Sequence, residues 1–341
     1  MKILHITPFY KPHLGGVETH VEAISQELIK RGHEVSILTQ RHSPYLSLQE
    51  KKDGIFITRI DTESRFYTKL NYKLAVWKQV ARQAQLLLKA DIIQVHDVYW
   101  WLIFLSPLFW SKTYLTFHGW EGQYPIPKRK ILARWLWSKL ALKTVHVGDY
   151  IREFYYDRPD LVIYGGVNVS KKLPIKKNKK FQIIFVGRLE TENNIEKYLK
   201  LAQELKINQK LEITWVGDGS YKQKCQKLGK VTGMVKNVSS YLATANLVWA
   251  ASYLSILEAQ SQGKIVCAFY DHLLKKRYLE TYPGSAHMLV ETDIKQMKEQ
   301  ILNLLEKPQV SKKFSQQAKN WTKQQTWSKV TNDYLNLWGI K

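Results

Sequence analysis

Apolar residues along this chain come in short runs separated by longer amphipathic stretches. Lys2–Thr7, Glu34–Gln40, Ile55–Ile60, Asp91–Asp97, Thr113–Gly119, Lys143–Gly148 and Leu161–Gly166 read as buried strands. Between them the spacing turns helical: from Tyr67 to Lys89, residues Leu70, Leu74, Trp77, Ala81, Ala84 and Leu88 mark one helix face. The pattern breaks at Lys171–Lys180, where six lysines and a proline in ten residues make a solvated linker. It then restarts, with strands expected at Phe181–Leu189, Leu211–Gly219, Lys230–Val235, Ala245–Ser252 and Lys264–Tyr270. Alternating strands and helices imply parallel strands joined by right-handed crossovers. The expected architecture is α/β, two doubly wound Rossmann-like domains at 1–170 and 171–325, followed by a terminal helix over 326–341. That helix carries Trp327, Val330, Tyr334 and Leu337 on one face. With nothing local to cover this face, the helix is expected to return to the first domain.

Charge changes the picture. The chain has 52 Lys and Arg against 29 Asp and Glu, a formal charge of +23. Both halves share it, with 23 basic and 15 acidic residues before position 170 and 29 and 14 after it. Such a field favours anionic partners. No basic-aromatic RNA module or DNA-reading motif is present, so nucleic acid is not the expected partner. Lys128–Lys143 holds six basic residues, no acid and two tryptophans, with apolar positions spread round the helical wheel. It is either largely buried or lies against lipid. The apolar run Val98–Trp110 is 13 residues long with Ser106-Pro107 inside, too short to span a bilayer, which takes ~20. Together these segments suggest contact with an anionic membrane surface. Two cysteines, Cys225 and Cys267, make no disulfide framework, and Met1–His13 has too short an apolar stretch for a signal peptide. A cytoplasmic protein, peripheral on the inner face of the membrane, is the expected setting.

Ligands of open α/β sheets bind beyond the carboxyl ends of the strands, so chemistry is sought at strand-to-helix junctions. Gly15-Gly16 opens the first helix, where bare backbone and helix N-terminus suit an anion. The spacing fits neither a G-x-G-x-x-G dinucleotide fingerprint nor a P-loop. Arg188 leaves its strand after Gly187, where a guanidinium could hold phosphate bidentately. Gly217 lies in a second glycine turn. Ser252 or Ser255 could cap a helix in which Glu258 sits about one turn in, where a carboxylate suits the two hydroxyls of a ribose.

In order along the chain, GGVETHV, VHVGDYIREF, VIYGGVN, IIFVGRLETENNIEKYLKLAQEL, ITWVGDGSYKQK and ASYLSILEAQSQGKIVCA resemble the retaining glycosyltransferases of the GT-B fold, most of all family 4, the group 1 type. The resemblance spans nearly the whole chain. It implies a nucleotide-sugar donor gripped by the second domain and a glycan or glycolipid acceptor on the first. It places Gly15, Gly16, Arg188, Asn193, Gly217, Gly233, Met234, Val235, Ser255, Ile256, Leu257 and Glu258 at the donor, with Arg188 on the leaving diphosphate and Glu258 on the ribose. His118 would stand near the transferred sugar, and His118 and Arg188 would carry the catalytic work. Neither metal nor cofactor is implied: no DxD falls at a suitable junction, and the histidines lack ligand spacing. The chain departs from the family pattern twice. Ala250 stands eight residues before Glu258, where relatives often carry a sugar-binding glutamate, and Asn193 stands where they often carry lysine. These departures motivate the alternative of a non-catalytic GT-B binding or partner subunit.

Overall fold

The computed structural model describes residues 1–62, 68–168, 180–206 and 211–340. The chain forms two compact units, one of Met1–Ile163 with the chain from Trp327 onward, the other of Tyr164–Thr326. The first holds an eight-stranded sheet of β1 (Lys2–Ile6), β2 (Glu34–Gln40), β3 (Gln49–Lys52), β4 (Ile55–Ile60), β5 (Ile92–His96), β6 (Thr113–Phe117), β7 (Lys143–Val147) and β8 (Leu161–Ile163). Their order is β3-β4-β2-β1-β5-β6-β7-β8. All pairings are parallel except β3 with β4. The exception escapes the hydrophobic pattern because Gln49–Lys52 has no apolar position. It forms through a tight turn at Asp53-Gly54, φ +51° and +81°, the backbone that a two-residue hairpin requires.

The second unit holds β9 (Phe181–Val186), β10 (Leu211–Val216), β11 (Lys230–Gly233), β12 (Leu247–Ala250), β13 (Ile265–Phe269) and β14 (Leu289–Glu291). The order is β11-β10-β9-β12-β13-β14, parallel throughout. An aromatic cluster of Phe185, Tyr198, Trp215, Trp249 and Phe269 fills its core, with ring centroids 5.0–5.7 Å apart. Such offset and edge contacts suit the ring quadrupoles.

The division between units falls at 163/164. Tyr164 belongs to the second unit because its ring meets Tyr253 and Tyr282 and its hydroxyl donates to the Thr281 carbonyl at 3.0 Å. Of the lysine-rich linker, 171–179 lie outside the described residues. The terminal helix Trp327–Trp338 returns to the first unit and buries Trp327, Val330, Tyr334 and Leu337. Trp338 Nε1 donates to Gln94 Oε1 at 3.1 Å, and Arg31 Nη2 donates to the Ser328 carbonyl at 3.0 Å.

One helix face differs from its sequence reading. The helix Lys69–Ala81 buries Val76 and Val80 against β4 and the turn Tyr99–Leu102, leaving Leu70 and Leu74 62% and 52% exposed. The helical period holds over Lys69–Ala81 with another phase, and the helix breaks before a second one, Ala84–Lys89, which buries Leu87 and leaves Leu88 exposed. The same spacing fits either stripe, and only the neighbouring elements choose between them.

Candidate active site

Each sheet reverses its direction of winding once, between β1 and β5 in the first unit and between β9 and β12 in the second. Each reversal opens a crevice in its own sheet, at the carboxyl ends of the strands.

In the first unit, β1 and β5 bring His5 and His96 side by side, and His118 follows β6. His5 Nδ1 meets His96 Nε2 at 3.0 Å, and His96 Nδ1 meets His118 Nε2 at 2.9 Å. Asp97 turns at φ +61° and accepts the His118 backbone N–H on Oδ1 at 2.9 Å. His20 packs edge-on to His118 and meets Tyr334 Oη at 3.1 Å. Burial holds all four imidazoles below their usual range, His5 down to about 3. Among the described residues no group of three or more His, Cys, Asp and Glu has the arrangement to hold a metal ion. Both ring nitrogens of His96 are taken up by its two neighbours.

Gly15 caps the helix Gly16–Lys30 in extended backbone, φ −166°, so its conformation does not call for glycine. A Cβ there would fall 2.3 Å from Glu18 Oε2. The buried Glu18, held by His13 Nδ1 at 2.6 Å, is what the bare backbone approaches in this structure.

Beside His118 a cavity of about 580 Å³ is lined by Asp97, Trp100, Trp120, Glu121, Arg134 and Trp137 among others. The helix Lys128–Leu140 forms one wall, and Arg134 is the residue it buries. The Arg134 guanidinium stacks 4.1 Å from the Tyr155 ring and 4.7 Å from Phe117, and donates to Glu121 and the Gly119 carbonyl. The outer side of that helix exposes Leu132, Trp135 and Leu136. The helix is therefore not largely buried: it turns a charge inward and apolar groups outward. Phe104, Leu108 and Trp110, from Val98–Trp110, are also more than half exposed.

In the second unit, Arg188 follows β9. Its side chain is 68% exposed and paired with Glu192. Asn193 donates from Nδ2 to the Arg188 carbonyl at 2.9 Å, bracing the loop. Gly217 has φ +155°, and a Cβ would lie 1.9 Å from the Gly187 carbonyl oxygen, so its bareness serves the approach of two strand-end loops. Gly233 bridges Gly217, with Met234 half-exposed just beyond. Val235 is half-buried.

Ser252 caps the helix Tyr253–Ser261 by backbone only, its hydroxyl being 2.7 Å from that of Ser255. Ile256 and Leu257 are wholly buried, so their side chains belong to the core and leave only main chain for a ligand. Glu258 is half-buried, and desolvation pushes its carboxyl up to about 7.

The sequence reading missed one further cation. Lys275, 2% exposed on the helix Leu273–Glu280, donates from Nζ to the Ala251 carbonyl at 2.7 Å, directly after β12. Burial lowers it to about 8, while Asp271 and Glu192 favour its charge. A lysine within a basic segment gives no sign that it will be buried.

Two family models match in succession, Glycosyltransferase Family 4 over residues 14–171 and Glycosyl transferases group 1 over 168–321. An uncharacterised glycosyltransferase of Methanocaldococcus jannaschii is 20% identical, over 99% of this chain and 98% of its own. Among solved structures, sucrose-phosphate synthase from Thermosynechococcus elongatus superposes with a TM-score of 0.79 at 15% identity, covering 99% and 98% of the two chains. Anabaena HepE, solved in complex with UDP and glucose, superposes with a TM-score of 0.74 at 16% identity and the same coverage.

Proposed function

Because this chain belongs to the family 4, group 1 glycosyltransferases and has the GT-B fold, we propose that it moves a hexosyl group from a nucleotide-diphosphate-sugar to a glycan or lipid-linked acceptor of the cell envelope, with retention and without a metal. The observation that carries the donor reading lies in the second unit. The segments after β9 and β12, the two strands flanking the winding reversal, carry Arg188 and Glu258. HepE, solved with UDP and with UDP-glucose, supports a donor of that chemistry.

In this reading Glu258 accepts from the ribose hydroxyls. Arg188 meets the diphosphate, and the buried Lys275 adds positive charge under the strand ends where Asn193 adds none. The helix N-terminus at Tyr253 contributes its dipole. The bond from the sugar C1 to the diphosphate oxygen breaks as the acceptor hydroxyl attacks from the same face. The hydroxyl proton passes to the departing diphosphate. Charge stabilisation and positioning then do the catalytic work. In the first unit, the tryptophan-lined cavity beside His118 suits a sugar ring of the acceptor.

A thermal-shift screen of UDP-, GDP- and ADP-sugars, followed by NMR of the anomeric centre of the product, tests this. One base series should raise the melting temperature, and the product should keep the donor's configuration; inversion would sink the mechanism. Arg188→Ala should weaken nucleoside diphosphate binding roughly ten- to a hundredfold, the cost of one charge-assisted contact of ~1.5–3 kcal/mol. Uridine, or the nucleoside of whichever base binds, should be little affected. Equal losses for nucleoside and diphosphate would take Arg188 off the phosphates.

The same reading includes a peripheral place on an anionic membrane, because Leu132, Trp135 and Leu136 project from a helix that also carries Lys128 and Arg129 on its surface. Binding to vesicles containing phosphatidylglycerol should weaken as salt shortens the screening length toward ~8 Å. Lys128→Glu with Arg129→Glu, or Trp135→Ser with Leu132→Ser, should release the protein. Equal binding to neutral vesicles would count against it.

A further inference from the structure

The three-histidine chain in the first unit has a direction. Two contacts link three neutral rings, and each contact needs one N–H and one lone pair. Only two proton orders satisfy both. In one, His5 donates from Nδ1 to His96, which donates from its own Nδ1 to His118 Nε2; His118 then carries its proton on Nδ1. In the other the sequence runs backward, and His118 is protonated on Nε2.

The far end decides. His5 Nε2 is buried without a hydrogen-bond partner among the described residues. The backward order would put an N–H on that nitrogen, and a buried N–H left orphaned is the rarer and costlier defect. The forward order leaves only a lone pair there. Protonating a ring to escape the choice is opposed by burial at every member.

We propose that His5 and His96 are positioning residues that hold His118 as its neutral Nδ1–H tautomer, so that His118 offers a substrate oxygen a hydrogen-bond donor and does not act as a base. The oxygen would be a hydroxyl or ring oxygen of the sugar, and that part rests on the transferase reading above. The frame for the relay is the sheet itself. His5 and Gln94 are paired across β1 and β5, with His96 two residues beyond Gln94. Gln94 donates to Thr116 at 3.0 Å, and Thr116 meets Tyr334 of the terminal helix at 2.9 Å.

Long-range proton–nitrogen NMR of histidine-labelled, substrate-free protein near pH 7.5 distinguishes a bare from a protonated ring nitrogen. The expected result is His118 with Nδ1 protonated and Nε2 bare. His118 protonated on Nε2, or on both nitrogens, overturns the proposal. His5→Asn keeps an amide donor near the Nδ1 position and should preserve the signature. His5→Asp offers only acceptors and should reverse it; an unchanged His118 in a folded His5→Asp protein overturns the relay. In His5→Leu, kcat should fall about tenfold with donor affinity unchanged, a part of the 10²–10³ that losing a transition-state donor costs, and His5→Asn should restore it. A fall in kcat without a change of tautomer would mark a merely structural effect and overturn the proposal. Because the signature is read without substrate, the expected tautomer in a protein that transfers no sugar would support the relay and sink the transferase reading alone.

Discussion

Lowering the pH from 7 to 5 should destabilise the first unit. His5, His20 and His96 are buried neutral, their pKa values held down by desolvation, His5 to about 3. In the unfolded chain each would titrate near 6.5. A depressed folded pKa means that the contribution to stability is complete above ~6.5 and is lost as the pH falls from there toward the folded value, because the unfolded chain takes up protons that the native fold refuses. At pH 5 the still-neutral His5 costs about 2 kcal/mol, from 1.36 kcal/mol per pH unit over about 1.5 units. His20 and His96 act in the same direction, against a whole domain stability of about 5–15 kcal/mol. His118 adds in the same direction. Urea midpoints followed by tryptophan fluorescence at pH 7, 6 and 5 would show it, along with proton uptake on unfolding. A midpoint that stays level across that range would mean that the histidines are not buried neutral. The second unit should respond oppositely in this window, because Glu258 titrates with the reverse sign.

Glu258→Gln should abolish most nucleotide affinity while making the free protein more stable. The carboxyl has a folded pKa near 7 against an ordinary 4.5, raised by desolvation. A raised carboxyl contributes fully below its unfolded pKa, and that contribution is lost as the pH climbs through 4.5 to 7. Above pH 7 the buried charge costs about 3 kcal/mol. Glutamine removes that cost. It also removes the charged acceptor proposed for the ribose hydroxyls, worth ~1.5–3 kcal/mol, so binding should fall roughly ten- to over a hundredfold for nucleoside and nucleotide alike. In the unaltered protein, affinity should rise as the pH passes through 7, since only the carboxylate accepts from both hydroxyls; the 2′-deoxy analogue should gain less. Calorimetric titration of both proteins at pH 6 and 8 tests all three points. If Glu258→Gln binds as tightly as the parent, the carboxylate does not hold the ribose. A melting temperature above pH 7 that falls on substitution would mean that Glu258 has a stabilising partner.

Much of the fold was written in the hydrophobic pattern. The twelve strands expected from apolar runs all form, because a strand covered on both faces must be apolar along its length. β3 and β14 escaped: Gln49–Lys52 is polar, and Leu289–Glu291 is an edge strand that is only part-buried along its length. Asp53-Gly54 did carry a hairpin signal that could have found the first of them. The candidate site residues were chosen where the backbone singles positions out, at glycines and strand ends. The structure shows what two of those glycines adjoin: Gly15 the carboxylate of Glu18, and Gly217 the Gly187 carbonyl, where a Cβ has no room.

By itself, then, the sequence determined the two parallel-sheet units, the returning terminal helix and the junctions after β9 and β12 that carry Arg188 and Glu258. These follow from periodicity and chain order, which are properties of neighbours along the backbone. Only the tertiary structure decided that His5, His96 and His118, some ninety and twenty positions apart, share hydrogen bonds, that Arg134 points inward while Trp135 points out, and that Lys275 lies buried at the end of β12. A side chain's charge state and partners depend on desolvation and on contacts between distant segments, and neither has a period that can be read along the chain.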